Sequence, residues 1–147
     1  MGVHDGSELV FTISRIRKYQ VADKIIIELT ESEGIKNYQE VSRFIKDIKA
    51  MGCQIAIDDF GTGYSNFTHM IHLDVDYLKI DGSIIQNILT DKNSEIVVRT
   101  LVDFAGQLNI KTIAEFVDSK EIYEKVKQLG INYTQGYYFG KPEESII

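Results

Sequence analysis

The chain has 147 residues, 44% of them hydrophobic, with a formal net charge of -6, which suits one domain, or one piece of a larger domain, with a sizeable core. A pI near 5.0 excludes a broad phosphate-tracking surface, because duplex binding needs clustered Lys and Arg, and no apolar run approaches the roughly 18 residues of a membrane span. With no signal-like h-region at its start and a lone Cys53 in an apolar run, the chain reads as cytoplasmic, the cysteine being a buried thiol in a reducing compartment.

Residues 1–7 read as a disordered or artificially added N-terminus, followed from residue 8 by one continuous domain, and a first helix is expected over 7–19. Lys24 to Leu29 is the first of five short apolar runs that look like strands buried on both faces; the others are Cys53 to Ile57, Val75 to Ile80, Lys111 to Ala114 and Ile131 to Tyr138. Asn37-Tyr38-Gln39-Glu40 resembles a capping box, with Val41, Phe44, Ile45 and Ile48 on one stripe after it and Gly52 as a stop. Short helical turns fit Ser65 to His72 and Ser83 to Leu89. A longer helix is expected from about Ser94 to Leu108, with Val97, Leu101, Phe104, Ala105 and Leu108 inward, and another from Ser119 to Leu129, stopped by Gly130. Strand-helix alternation of this kind implies parallel strands joined by crossovers, hence an α/β barrel or a doubly wound sheet.

Strand after strand ends in ionisable residues: Glu28 with Glu31 beyond it, Asp58 and Asp59, Lys79 and Asp81, and Glu115, while Gln135 closes the last run. In parallel α/β folds those C-terminal ends share one face, where active sites are built. One such carboxylate is usually a helix cap. Four at successive strand ends are better explained by convergence, and converging carboxylates resist ionisation unless a cation neutralises them. An all-oxygen set suits a hard divalent ion such as Mg²⁺ or Mn²⁺ rather than zinc. Asp58 could then bridge two ions, which in two-metal phosphoryl chemistry lie roughly 3.5 to 4 Å apart. Lys79 is either the counter-charge of these carboxylates or a group orienting the attacking water. His69 and His72 read as packing or surface residues rather than ligands, and Tyr64, Phe67, Tyr137, Tyr138 and Phe139 as core or rim packing.

The strings E-L-T-E (Glu28 to Glu31), D-D-F-G-T-G-Y-S (Asp58 to Ser65), L-K-I-D (Leu78 to Asp81), A-E-F-V-D (Ala114 to Asp118) and Q-G-Y (Gln135 to Tyr137) together resemble the EAL family of cyclic di-GMP phosphodiesterases, from about residue 8 to Pro142. The resemblance implies a TIM-like barrel that hydrolyses cyclic di-GMP to pGpG with two Mg²⁺ or Mn²⁺ ions. By position it makes Glu28 and Asp58 ligands of a first metal, and Asp58, Asp59 and Glu115 ligands of a second. It likewise assigns Lys79 to the catalytic water, Gln135 to a place near the site, and Glu31 to anchoring the loop after the paired aspartates.

Three departures accompany the match. The Glu-Ala-Leu string is absent, as is a strand bearing a metal-binding Asn, and Phe116 and Asp118 stand in A-E-F-V-D where the family usually has a small residue and a Glu. The chain is therefore expected to be the C-terminal portion of an EAL domain, about five strand-helix units of an eight-stranded barrel, cut from a longer signalling protein. It is expected to form a homodimer or to pair with the missing barrel half. Neither polymeric nucleic acid nor a membrane surface is expected as a partner. A non-catalytic module binding the dinucleotide or a protein is the rival reading.

Overall fold

The structure, a computed structural model, describes residue 23 and residues 25–30, 38–61 and 67–140. Within these, five parallel strands alternate with helices: β1 (Ile26–Thr30), α1 (Tyr38–Ala50), β2 (Gln54–Phe60), α2 (Phe67–His72), β3 (Tyr77–Ile80), α3 (Gly82–Gln86), α4 (Lys92–Gln107), β4 (Lys111–Ala114), α5 (Lys120–Gln128) and β5 (Tyr133–Thr134). The strands lie side by side in chain order, β1-β2-β3-β4-β5. A doubly wound sheet reverses direction partway and carries helices on both faces, whereas unbroken sequential order places every crossover on one side. The architecture is that of a partial TIM-like barrel. The expected helix over 7–19 and the capping residue Asn37 lie outside the described residues.

Side-chain alternation along the strands explains the layering. Leu29, Ile55, Ile57, Leu78, Ile80 and Ala114 alternate onto the helix-covered face, each essentially without solvent contact. Against them α1 sets Val41, Phe44, Ile45 and Ile48, the stripe expected from the sequence, each burial stabilising the fold by about 2 kcal/mol. On α4 the fully buried positions are Ser94, Val98, Leu101 and Ala105. Val98 thus replaces Val97 on the inward face, while Val97, Phe104 and Leu108 pack at its margins. The helix starts earlier than Ser94 because Asp91 caps it, accepting from the backbone N–H of Asn93 at 3.0 Å and of Ser94 at 3.2 Å.

The other sheet face differs from the expectation of strands buried on both sides. Ile26 of β1 is 49% exposed and Tyr133 of β5 52% exposed, and Gln54 and Lys111 on the same face are exposed. Ala56 and Lys79 on that same face are buried, so the exposure is confined to the edge strands and the N-terminal strand ends. The last strand is also shorter than the apolar run from Ile131 suggests. After Thr134 the chain turns away, and Gly136 lies so close to Val117 that a Cβ there would stand 2.3 Å from the Val117 carbonyl oxygen. Tyr138 N–H donates to that carbonyl at 3.1 Å, which turns residues 135–140 away from the ladder.

At the N-terminal ends of the strands, Asp76 accepts from the Ile55 N–H at 2.8 Å and from the Lys49 ammonium at 2.7 Å, tying β3 to β2 and α1. Cys53 is buried and free, as expected. No helix among the described residues is long and apolar enough to cross a membrane.

Candidate functional site

Two adjacent residues of a regular strand point to opposite faces, so Asp58 and Asp59 could not share a site if β2 stayed regular. It does not. Ile57 pairs with Leu78, but the next matched pair is Phe60 with Ile80, and the register slips between them. The slip coincides with Asp59, whose φ of 57° lies in the left-handed region. Such a conformation costs a side-chain-bearing residue about 1–2 kcal/mol, less for Asp, whose short side chain can bond locally. Asp58 Oδ1 accepts the Asp59 N–H at 2.8 Å. The bulge brings both carboxylates to the same end of the sheet.

There they meet Glu115, the residue after β4, whose N–H bonds the Ile80 carbonyl at 3.3 Å. Asp58, Asp59 and Glu115 each offer a carboxylate oxygen within 4.8 Å of the others. Lys79 stands against this group, its side chain only 6% exposed. Its ammonium donates to Glu28 Oε1 at 2.8 Å, lies 3.0 Å from Glu115 Oε1 and 3.9 Å from Asp58 Oδ2. Lys79 is therefore the counter-charge of three carboxylates contributed by β1, β2 and the end of β4. Glu28 joins the site through this lysine and is not one of the trio; its side chain is half exposed.

The electrostatics follow from crowding. Burial alone would lower the Lys79 pKa, but the hydrogen bonds it donates to Glu28 and Glu115 and the charges of Glu115 and Asp58 outweigh it and raise the pKa, so the ammonium stays charged. Burial pushes Glu115 up to about 7, and the neighbouring Asp58 adds to the rise, while Lys79 opposes it without prevailing. Asp59 is raised first by burial, then by the Asp58 charge and a hydrogen bond with Asp81. Asp81 also caps α3, accepting from the Ser83 N–H at 2.8 Å.

A group with a raised folded pKa supports the fold fully below its unfolded pKa and loses that support as pH climbs through the folded value. For Glu115 the window runs from the ordinary 4.5 to about 7. In a chelator, Glu115→Gln should therefore gain in melting temperature relative to the unsubstituted chain between about pH 5 and about pH 8, and added Mn²⁺ should favour the unsubstituted chain again. Thermal melts across that range check this, and a pH-independent difference would remove the account of Glu115.

The other expected site residues divide. Gln135 is exposed at the end of β5, with its N–H bonded to the Ala114 carbonyl at 2.9 Å and its carbonyl accepting from Val117 N–H at 3.0 Å, which places its backbone beside the Glu115 segment. Glu31 and Tyr64 lie outside the described residues. His69 stacks on Tyr38 with ring centroids 4.7 Å apart, and His72 is exposed on α2; neither belongs to a metal-holding group among the described residues. Tyr138 and Phe139 pack on Tyr123 at the rim, at 5.7 and 5.5 Å, and Phe67 packs edge-on against Phe60 and Phe104.

Sequence reasoning missed the Asp59–Asp81 contact and the state of Phe116. That residue also has a left-handed backbone, with φ 57°. Its ring lies against Gly82, where a Cβ would stand 2.0 Å from the ring. A carboxylate directly after L-K-I was the available signal for the first. Nothing local to A-E-F-V-D signals the second.

The EAL domain family matches residues 3–142. Cyclic di-GMP phosphodiesterase PdeF of Escherichia coli K12 is 40% identical over 132 residues, which are 89% of this chain and 18% of that protein. A structure described as PaMucR phosphodiesterase in a c-di-GMP complex superposes with a TM-score of 0.78 at 34% identity, covering 82% of this chain and 49% of the other. Structures of Klebsiella pneumoniae BlrP1 with cy-diGMP and either manganese or calcium give 0.83 at 26% identity, covering 95% of this chain and 36% of theirs. The chain spans between 14% and 23% of the length of the curated relatives it matches.

Proposed function

The chain belongs to the EAL domain family, and from that premise we propose that it is a segment of a metal-dependent phosphodiesterase that opens cyclic di-GMP to linear pGpG. The observation that carries this reading is the convergence of Asp58, Asp59 and Glu115 around the buried Lys79. Three crowded carboxylates, two of them with raised pKa values, and no histidine or cysteine form a donor set that fits a hard divalent cation. Two ions, Mg²⁺ or Mn²⁺, would be held there, Asp58 serving both, with Asp59 and Glu115 on one and Glu28, hydrogen-bonded to Lys79, on the other. Such ions, when bound, polarise the scissile phosphate and lower the pKa of water.

The chain's own groups account for the rest of the proposal. The bulge fixes Asp58 and Asp59 on a rigid strand end, so their oxygens are in place before substrate arrives. Lys79 holds Glu28 and Glu115 in fixed positions; an ammonium has three protons, and the third is available to orient water beside the phosphodiester. Its positive charge offsets part of the negative charge that builds on the phosphoryl oxygens. Gln135, at the neighbouring strand end, would contact the substrate, and Glu31 would secure the loop after Asp59.

Incubating the chain with cyclic di-GMP and Mg²⁺ or Mn²⁺, and separating products chromatographically, tests the reading. Accumulation of pGpG that stops on chelation is the expected result. Tight binding of cyclic di-GMP without turnover would instead favour a non-catalytic binding module.

A further inference from the structure

An exposed phenylalanine by itself says little, since apolar atoms make up much of any protein surface. Phe116 is different in three respects. It follows Glu115 directly, so its Cα is one peptide step from a member of the carboxylate trio. It is 59% exposed while holding φ at 57°, a region a bulky side chain enters only when the surroundings impose it. And its ring has a dedicated seat: Cδ2, Cγ and Cε2 would lie 2.0, 2.6 and 2.8 Å from a Cβ on Gly82, so only a glycine lets the ring rest on that backbone. Gly82 in turn follows Asp81, the residue hydrogen-bonded to Asp59. The ring thus bridges the two strand ends that carry the acidic site, one flank against the Gly82 backbone and much of its surface open to solvent.

We propose that Phe116 is a binding residue for this site, a stacking platform for one guanine base of cyclic di-GMP. The inference rests on the function proposed above. A phosphodiester placed at the carboxylates carries its nucleobase one ribose away, within reach of the residue next to Glu115. A flat purine has an aromatic face to offer, and a seated ring loses little freedom on meeting it. Stacking of a base on an aromatic side chain is commonly worth a tenfold change in affinity or more. The residue is left 59% exposed, which keeps the ring available.

Calorimetric titration with cyclic di-GMP in calcium, the ion present in one BlrP1 complex, tests this. Phe116→Ala should weaken binding about tenfold, and Phe116→Trp should stay within about twofold of the unsubstituted chain. Gly82→Ala, which evicts the ring from its seat without touching the carboxylates, should weaken binding as Phe116→Ala does. The chain contains no tryptophan, so the emission of the Phe116→Trp protein reports on this position alone; cyclic di-GMP should quench it, and dimethyl phosphate, which has no base, should not. If the unsubstituted chain binds but Phe116→Ala binds equally well and the Phe116→Trp emission does not respond, the platform is refuted and the functional reading stands. If the unsubstituted chain binds no cyclic di-GMP, the functional reading falls and the platform with it.

Discussion

Lys79→Met should destabilise the chain in chelator at about pH 8 by about 3 kcal/mol, because removing one partner from a buried ion group leaves the remaining charges uncompensated. The figure sits at the low end for such changes since Glu28 is half exposed and water can take up part of the burden. Glu115 and Asp58 have no such recourse: their side chains are 14% and 23% exposed, and Lys79 is the cation at hand. The cost should shrink toward about pH 4, well below the Glu115 pKa of about 7, where a neutral Glu115 leaves less charge for Lys79 to offset. Methionine matches the length and apolar stem of lysine, which limits the contribution from a packing defect. Denaturant unfolding at both pH values measures the effect. Equal stability of the two proteins at the higher pH would mean that Lys79 does not compensate the carboxylates as its geometry implies.

The second large effect concerns Asp58. Asp58→Asn keeps the size of the side chain and its acceptor for the Asp59 N–H, so the bulge at Asp59 should survive with little change in stability. It removes one negative charge from the middle of the donor set. A metal ligand contributes several kcal/mol to stabilising phosphoryl charge. A loss of about 4 kcal/mol corresponds to about a thousandfold fall in kcat/KM for pGpG formation. Divalent-ion titrations of both proteins should show weaker binding in the variant. Retention of metal-dependent hydrolysis within about tenfold of the unsubstituted rate would remove Asp58 from the role of shared ligand.

Some of this was open to reading before any fold was known, and particular residues show why. The α1 stripe of Val41, Phe44, Ile45 and Ile48 follows from helical periodicity, a property of neighbours in the chain. The Lys111–Ala114 strand and the Ser119 cap of α5 are equally local. Val97 packs against the core as expected, but the fully buried Val98 was not foreseen, because the inward direction of α4 is set by the strands beneath it. The length of β5 was overestimated because Gly136 meets Val117 only when two segments distant in the chain come together.

The same division runs through the site. That ionisable residues close successive strands is written in the amino-acid order, and parallel α/β topology then directs them to one face, so Glu28, Asp58, Asp59, Lys79 and Glu115 could be named as a group from the sequence by itself, although Glu28 meets the others only through Lys79. Which face each adopts within that group is a matter of register and backbone strain. The slip between Ile57 and Phe60 decides that both aspartates serve one site. Interatomic distances decide that Lys79 joins Glu28 to Glu115, settling its counter-charge role, and close approach to Gly82 decides where the Phe116 ring rests. Pattern along a chain reports on neighbours within a few residues; these contacts depend on strands pairing at a particular offset, and that information exists only once the chain has folded.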